Sequence, residues 1–140
     1  MLTLHTLGEA EARLAIDACM AALRARGKVA AIAVSDTHGE LIAAWRMDGA
    51  PLAAVGIASN KAYTAARLRA PSGEVGRAAQ TEGWDMHYHG DARYVGWDGG
   101  VPVLVDGTCV GAVAVSGLSG VEDLEFAQAG VTAVLERRAD

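Results

Sequence analysis

The spacing of apolar and polar positions divides the chain into alternating helices and strands. Thr6 and Glu9 stand at capping-box spacing, while Arg24, Arg26 and Gly27 supply a basic last turn and a glycine stop. Between these ends a first helix is expected, with Leu14, Ala18, Ala21, Ala22 and Ala25 as its apolar stripe. KVAAIAVSD, from Lys28, reads as a strand, DTHG as a turn and ELIAAWRMD as a second strand, together a hairpin. In the second strand Leu41, Ala43, Trp45 and Met47 are expected on one face, and Ile42, Ala44 and Arg46 on the other. Pro51 suits the first turn of a second helix that runs to about Arg69 and is stopped by Pro71.

The next twenty residues, SGEVGRAAQTEGWDMHYHGD, are polar, glycine-rich and without clear period, and so are expected to be irregular. RYVGW reads as a short strand. VPVLV and TCVGAVAVSG are clearer strands joined by Asp106–Gly107, a strong hairpin signal. Ser119 and Glu122 form a second capping box before a last helix through Leu124, Ala127, Val131, Val134 and Leu135. The expected order is α-β-β-α-β-β-β-α, an α/β (α+β) chain with an antiparallel sheet of about five strands and helices packed on it. VAAIAV and CVGAVAV are apolar at odd and even positions alike, so both faces of their sheet must be covered. Either the helices cover both faces or one face meets another copy of the chain, and a homo-oligomer is the favoured expectation.

Composition narrows the class. One hundred and forty residues suit a single domain, residues 1–140, and 51% hydrophobic with 21% charged is globular rather than disordered. The apolar set is mostly Ala, Val and Leu with a single Phe, which predicts a core of small side chains and close backbone approach. A net charge of −5 without a basic stripe argues against nucleic acid as partner. MLTLHTLGEAE has no cationic region, no segment has the length of a membrane span, and Cys19 and Cys109 lack metal-like spacing. These features lead to the expectation of a cytoplasmic protein with reduced, buried thiols.

Candidate chemistry lies in a few places. WDMHYHGD holds His87 and His89, which share a face if their segment is extended; two such imidazoles suit Zn, Cu or Fe, and one suffices for haem. A polar loop with two surface histidines fits the same residues, as does a proton-transfer pocket. Lys61 falls in the apolar stripe Ala54, Ile57, Lys61, Ala65, Leu68, so its ammonium must reach a carboxylate, a ligand or water. Arg46, before a glycine turn, suits either a carboxylate clamp or a salt bridge to Asp48 or Asp123. Gly99 and Gly100 allow N–H groups to converge on an anion, or form a turn that needs positive φ. Asp98 is either a pocket acid or the cap of that turn. Ser116, in Val115-Ser116-Gly117 before a capped helix, stands where a carboxylate would meet N–H donors; it has no histidine partner at the spacing of a serine nucleophile.

Arg46-Met47-Asp48-Gly49, Lys61-Ala62-Tyr63-Thr64-Ala65, Gly99-Gly100-Val101-Pro102 and Val115-Ser116-Gly117 followed by Asp123 together resemble the GlcG-like, haem-binding HbpS-like family, related to the C-terminal domain of PduO-type proteins. The resemblance covers nearly the whole chain. It implies a profilin-like layout, self-association, and haem or corrinoid chemistry in small-molecule catabolism. Two places depart from the family pattern: the histidine- and aromatic-rich segment 84–98, and Ala114 in place of a glycine.

Two functions follow as expectations. One is a ligand-binding oligomer that holds haem or a related tetrapyrrole, with its propionates on Lys61, Arg46, Gly99, Gly100 and Ser116 and its iron on His87 or His89. The other is a cofactor-independent isomerase, hydratase or lyase, in which Lys61 and His87 or His89 transfer protons on a small carboxylated or carbonyl metabolite. A purely structural assembly protein is the third.

Overall fold

Residues 1–140 are described by a computed structural model. Four helices and four strands follow the chain as α1 (Glu9–Ala25), β1 (Ala31–Asp36), β2 (Leu41–Arg46), α2 (Ala54–Leu68), α3 (Ser72–Glu82), β3 (Gly100–Val105), β4 (Thr108–Ser116) and α4 (Gly120–Ala139), with a 3-10 turn at Met86–His89. The strands form one antiparallel sheet in the order β2-β1-β4-β3.

The sheet's two faces differ in side-chain size, and this places the helices. Ala30, Ile32, Val34, Val113 and Val115 enter one core with Leu23 of α1 and Phe126, Val131 and Val134 of α4. On the opposite face β1 and β4 present Ala31, Ala33, Ala112 and Ala114, packed against Ala54, Ala58, Ala62, Ala65 and Ala66 of α2. These small side chains let α2 lie close on the sheet, and Ser35 of the same face reaches it directly, donating to Ala62 O at 3.1 Å. The apolar character of both faces of β1 and β4 is thus accounted for by the chain's own helices. The two thiols fall on opposite sides of the sheet, Cys19 turned to Phe126 O on α4 and Cys109 towards Ala66 O on α2, and both are free.

Several sequence expectations require correction. The sheet has four strands, not about five, because residues 93–97 are held by side chains instead of a ladder: Val95 N donates to Thr64 Oγ1, and Ser72 Oγ donates to Trp97 O. Residues 72–82, expected to be irregular, form α3. The glycines that weakened its pattern serve contact: a Cβ at Gly73 would run into Asp98, and one at Gly76 into the backbone of Gly96. Thr6 does not cap α1; its hydroxyl accepts from Thr37 N, and the cap is Gly8 with Glu11 folded back on its N–H. The buried stripe of α1 is Ala12, Ala15, Ile16, Cys19 and Leu23, one position off the expected set. In β2 a bulge opposite Val34 and Ser35 shifts Ile42 to the face of Ala43, against the large-residue core. The Asp106–Gly107 hairpin forms as expected, with φ of 50° and 78° at its two residues.

Candidate functional site

The apolar stripe of α2 carries Lys61 to the end of the sheet, where α4 begins. Its ammonium donates to Asp123 Oδ2 at 3.0 Å and to Val115 O at 3.1 Å, with only 2% of the residue exposed. Asp123 Oδ1 accepts from Leu118 N at 3.1 Å, so the carboxylate ties the ammonium to the first turn of α4. Burial raises the Asp123 carboxyl above the ordinary range, against the opposing pull of Lys61.

Glycines make room for this pair. A Cβ at Gly99 would stand 2.8 Å from Lys61 Nζ, and one at Gly100 would meet Lys61 O. Gly100 N is not a free anion donor, since Ser72 Oγ accepts from it at 2.9 Å. Lys61, Asp123, Ser116, Asp98, Gly117 and Gly120 line a hollow of about 360 Å³ with Ile57, Leu118 and the rim residue Trp97. Asp98 is both pocket acid and salt-bridge partner, with Arg77 Nη1 3.1 Å from each of its oxygens. The structure therefore unites Lys61, Gly99, Gly100 and Ser116. Arg46 lies elsewhere, exposed at the end of edge strand β2 beside Arg24, Lys28 and Asp48, and forms no salt bridge to Asp48 or Asp123.

The histidine segment is wound, not extended. Met86–His89 is a 3-10 turn capped by Asp85, so side chains two apart diverge by about 120°. His87 is exposed, and its Nδ1 lies 2.7 Å from Asp85 Oδ1. Asp85 is lowered below the usual carboxylate range by the backbone N–H of His87 and then by the ring. His89 stacks on Tyr94, centroids 4.5 Å apart, and meets the Trp84 edge at 5.5 Å. With Leu68, Val75, Ala78 and Trp84 it lines an open trough of about 370 Å³. Lys61 is not among its walls, and no histidine lines the Lys61 hollow. Lys61 and Leu68 stand seven residues apart on α2, about 10 Å along its axis.

The trough is an open, mostly apolar surface with one imidazole on its wall. Its walls are aliphatic and aromatic except for the Glu74 carboxylate, and the His89 ring nitrogens form no hydrogen bond. A cation stands near, since Arg67 Nε donates to Tyr94 Oη at 2.9 Å. The His87 ring is held by a carboxylate at Nδ1, but no group of three or more His, Cys, Asp or Glu side chains gathers to hold a metal ion at either histidine.

Two groups of site residues escaped sequence reasoning. Asp123 enters the sequence reading only in a family motif and as a candidate partner of Arg46; its pairing with Lys61 is missed. Yet it begins the stripe Ala127, Val131, Val134 just as Lys61 interrupts that of α2, which marks each as a charge in need of a buried partner. The cluster of Tyr63, Asp91 and Arg93 had no such signal. Tyr63 Oη donates to Asp91 Oδ2 at 2.7 Å, and the Arg93 guanidinium lies 4.0 Å over the Tyr63 ring. Arg93 and then Tyr63 hold the Asp91 carboxyl well below the usual carboxylate range.

Known proteins resemble this chain in sequence and in fold. Over 93 residues, 61% of this chain and 62% of that protein, the chain is 43% identical to GlcG of Escherichia coli K12. It superposes on a double mutant of Streptomyces reticuli HbpS with a TM-score of 0.86 and 27% identity, over 94% of this chain and 89% of that one. On a PduOC structure described as a haem complex the TM-score is 0.81 with 25% identity, over 91% and 94% of the two chains. The chain spans 31% to 62% of the length of the curated relatives it matches. The family model described as haem degrading protein HbpS-like matches residues 7–132, and the chain belongs to that family.

Proposed function

We propose that this chain is a small-ligand-binding protein for haem or a related tetrapyrrole, held in the trough between α2, α3 and the 3-10 turn. The observation that carries the reading is the PduOC haem complex, whose fold this chain matches over 91% of its length. The chain's own trough supports it, with aliphatic walls from Leu68 and Val75, the Trp84 indole and the His89 imidazole. Bound haem would supply a ligand-exchangeable, redox-active iron. His89 is the proposed iron ligand in preference to His87, because His89 lines the apolar wall while His87 is turned to solvent on Asp85. Arg67, bonded to the tyrosine on which His89 stacks, is suited to a propionate. The earlier assignment of propionates to Lys61, Arg46, Gly99, Gly100 and Ser116 is not retained, since these residues lie away from both imidazoles. The proton-transfer reading loses its partner for the same reason: Lys61 is bound to Asp123 in a hollow without a histidine.

Self-association belongs to the same proposal. Edge strand β2 leaves Leu41 and Trp45 about half exposed, a surface suited to a second copy. A hemin titration followed in the Soret region tests the haem reading. Wild type and His87→Ala are expected to develop the same shifted band, and His89→Ala to lose it. Equal spectra for wild type and both variants overturn the assignment. Light scattering across a concentration series tests self-association, with a strictly monomeric mass counting against it.

A further inference from the structure

The hollow beside Lys61 has a feature the haem reading does not use. Six polar or charged side chains are buried in the molecule: Ser35, Lys61, Thr64, Ser72, Ser116 and Asp123. Five are hydrogen-bonded within the chain. Ser116, only 4% exposed, forms no side-chain hydrogen bond, and it lines the hollow at the start of α4. No side-chain oxygen or nitrogen in the molecule is both sealed off and unpartnered, so the Ser116 hydroxyl opens onto the hollow, where an occupant can satisfy it. Lys61 adds a second free function, since two of the three ammonium donors go to Val115 O and Asp123.

Charge selects the class of ligand. Lys61 is neutralised by Asp123, and Asp98 stands across the hollow with its partner Arg77 on the outside. An incoming carboxylate would meet two acids and one ammonium already paired. An incoming cation would meet Lys61. A neutral molecule meets neither penalty: its carbonyl or hydroxyl oxygen can accept from Lys61 and Ser116, and its own hydroxyl can donate to Asp98. About 360 Å³ is at the small end of ligand sites, and Gly117 and Gly120 keep the walls low.

We infer that this hollow is a second ligand site, separate from the His89 trough, for a small uncharged molecule with a hydroxyl beside a carbonyl or second hydroxyl. Ser116 and Lys61 are its oxygen donors and Asp98 its acceptor. Lactamide and lactate, nearly equal in shape and different in charge, are the probes.

The test is a titration of the full-length, 15N-labelled chain with each, followed through the backbone amides of Ser116, Gly117 and Gly120. Lactamide is expected to shift these amides saturably, and lactate at least about tenfold more weakly. Ser116→Val is expected to abolish the lactamide shifts, with Ser116→Ala as the second variant if the valine disturbs folding. His89→Ala is expected to leave them unchanged. The inference fails if lactamide gives no saturable shift, if lactate binds as well, if the shifts survive loss of the Ser116 hydroxyl, or if His89→Ala abolishes them. None of these results depends on whether hemin binds.

Discussion

Lys61 on α2 and Asp123 on α4, sixty-two residues apart in sequence, meet at 3.0 Å in a setting where each side chain is less than 5% exposed. The pair joins the helices that cover opposite faces of the sheet, at the one end where the sheet does not separate them. Lys61→Met leaves Asp123 buried without its counter-charge and is expected to destabilise the fold by about 3–5 kcal/mol. Lys61→Met with Asp123→Leu is expected to recover much of that loss. Denaturant melts of the three proteins check this, and equal stability of Lys61→Met and wild type contradicts it.

The same pair has a pH signature. Burial already raises the folded-state Asp123 carboxyl above its ordinary range, and removing Lys61 takes away the main opposing influence. A raised carboxyl favours the folded state when protonated; that contribution is present below the unfolded-state value and lost as pH rises through the folded-state value. Lys61→Met is therefore expected to come closest to wild-type stability at acid pH and to fall away towards neutrality. Thermal melts at several pH values measure the gap, and a gap that widens on acidification contradicts the account.

Tyr63 is expected to ionise late. Burial, and then its hydrogen bond to the Asp91 carboxylate, push the phenol up to about 12. An ultraviolet titration should show one of the three tyrosines ionising near that value, and Tyr63→Phe should remove that step. A Tyr63→Phe titration that keeps the late step would contradict the placement of Tyr63 against Asp91.

The thiols are expected to be inert in the folded chain. Burial pushes Cys19 up to about 12 and raises Cys109 as well, so little thiolate is available to react. A disulfide-exchange reagent at mild alkaline pH should label neither until the chain unfolds. Rapid labelling of either in the native state contradicts the packing of Cys19 against Phe126 O or of Cys109 against α2.

Two glycine-to-alanine changes should have opposite signs. Gly56 lies in α2 with nothing within 4 Å of a built Cβ, so Gly56→Ala is expected to stabilise by about 0.5–1 kcal/mol. Gly76 lies in α3 against the backbone of Gly96, so Gly76→Ala must push the 93–98 segment away and is expected to cost about 1–3 kcal/mol. Matching melts for the two variants would contradict the close approach of α3 and that segment.

The legible parts of the molecule were those governed by local period and turn chemistry. Asp106–Gly107 and Ser119–Glu122 each encode their geometry within four residues, and both appear as read. The double-sided apolar strands correctly implied cover on both faces. What the sequence hid was long-range. Gly73 and Gly76 look like helix breakers until Asp98 and Gly96 are seen against them. Residues 93–97 carry a strand's composition, but Thr64 and Ser72 take up their backbone groups. His87 and His89 read as one face only on an extended chain; the Asp85 cap winds them into a turn and parts them. Lys61 announced a buried partner without saying which acid it was.

The most direct test of the haem reading replaces the proposed ligand with a diffusible one. His89→Gly is titrated with hemin, first alone and then with free imidazole, and the Soret band is followed. The account predicts that the variant loses the shifted band of the wild type and that imidazole restores it. A His89→Gly spectrum that superposes on wild type before imidazole is added would contradict the account.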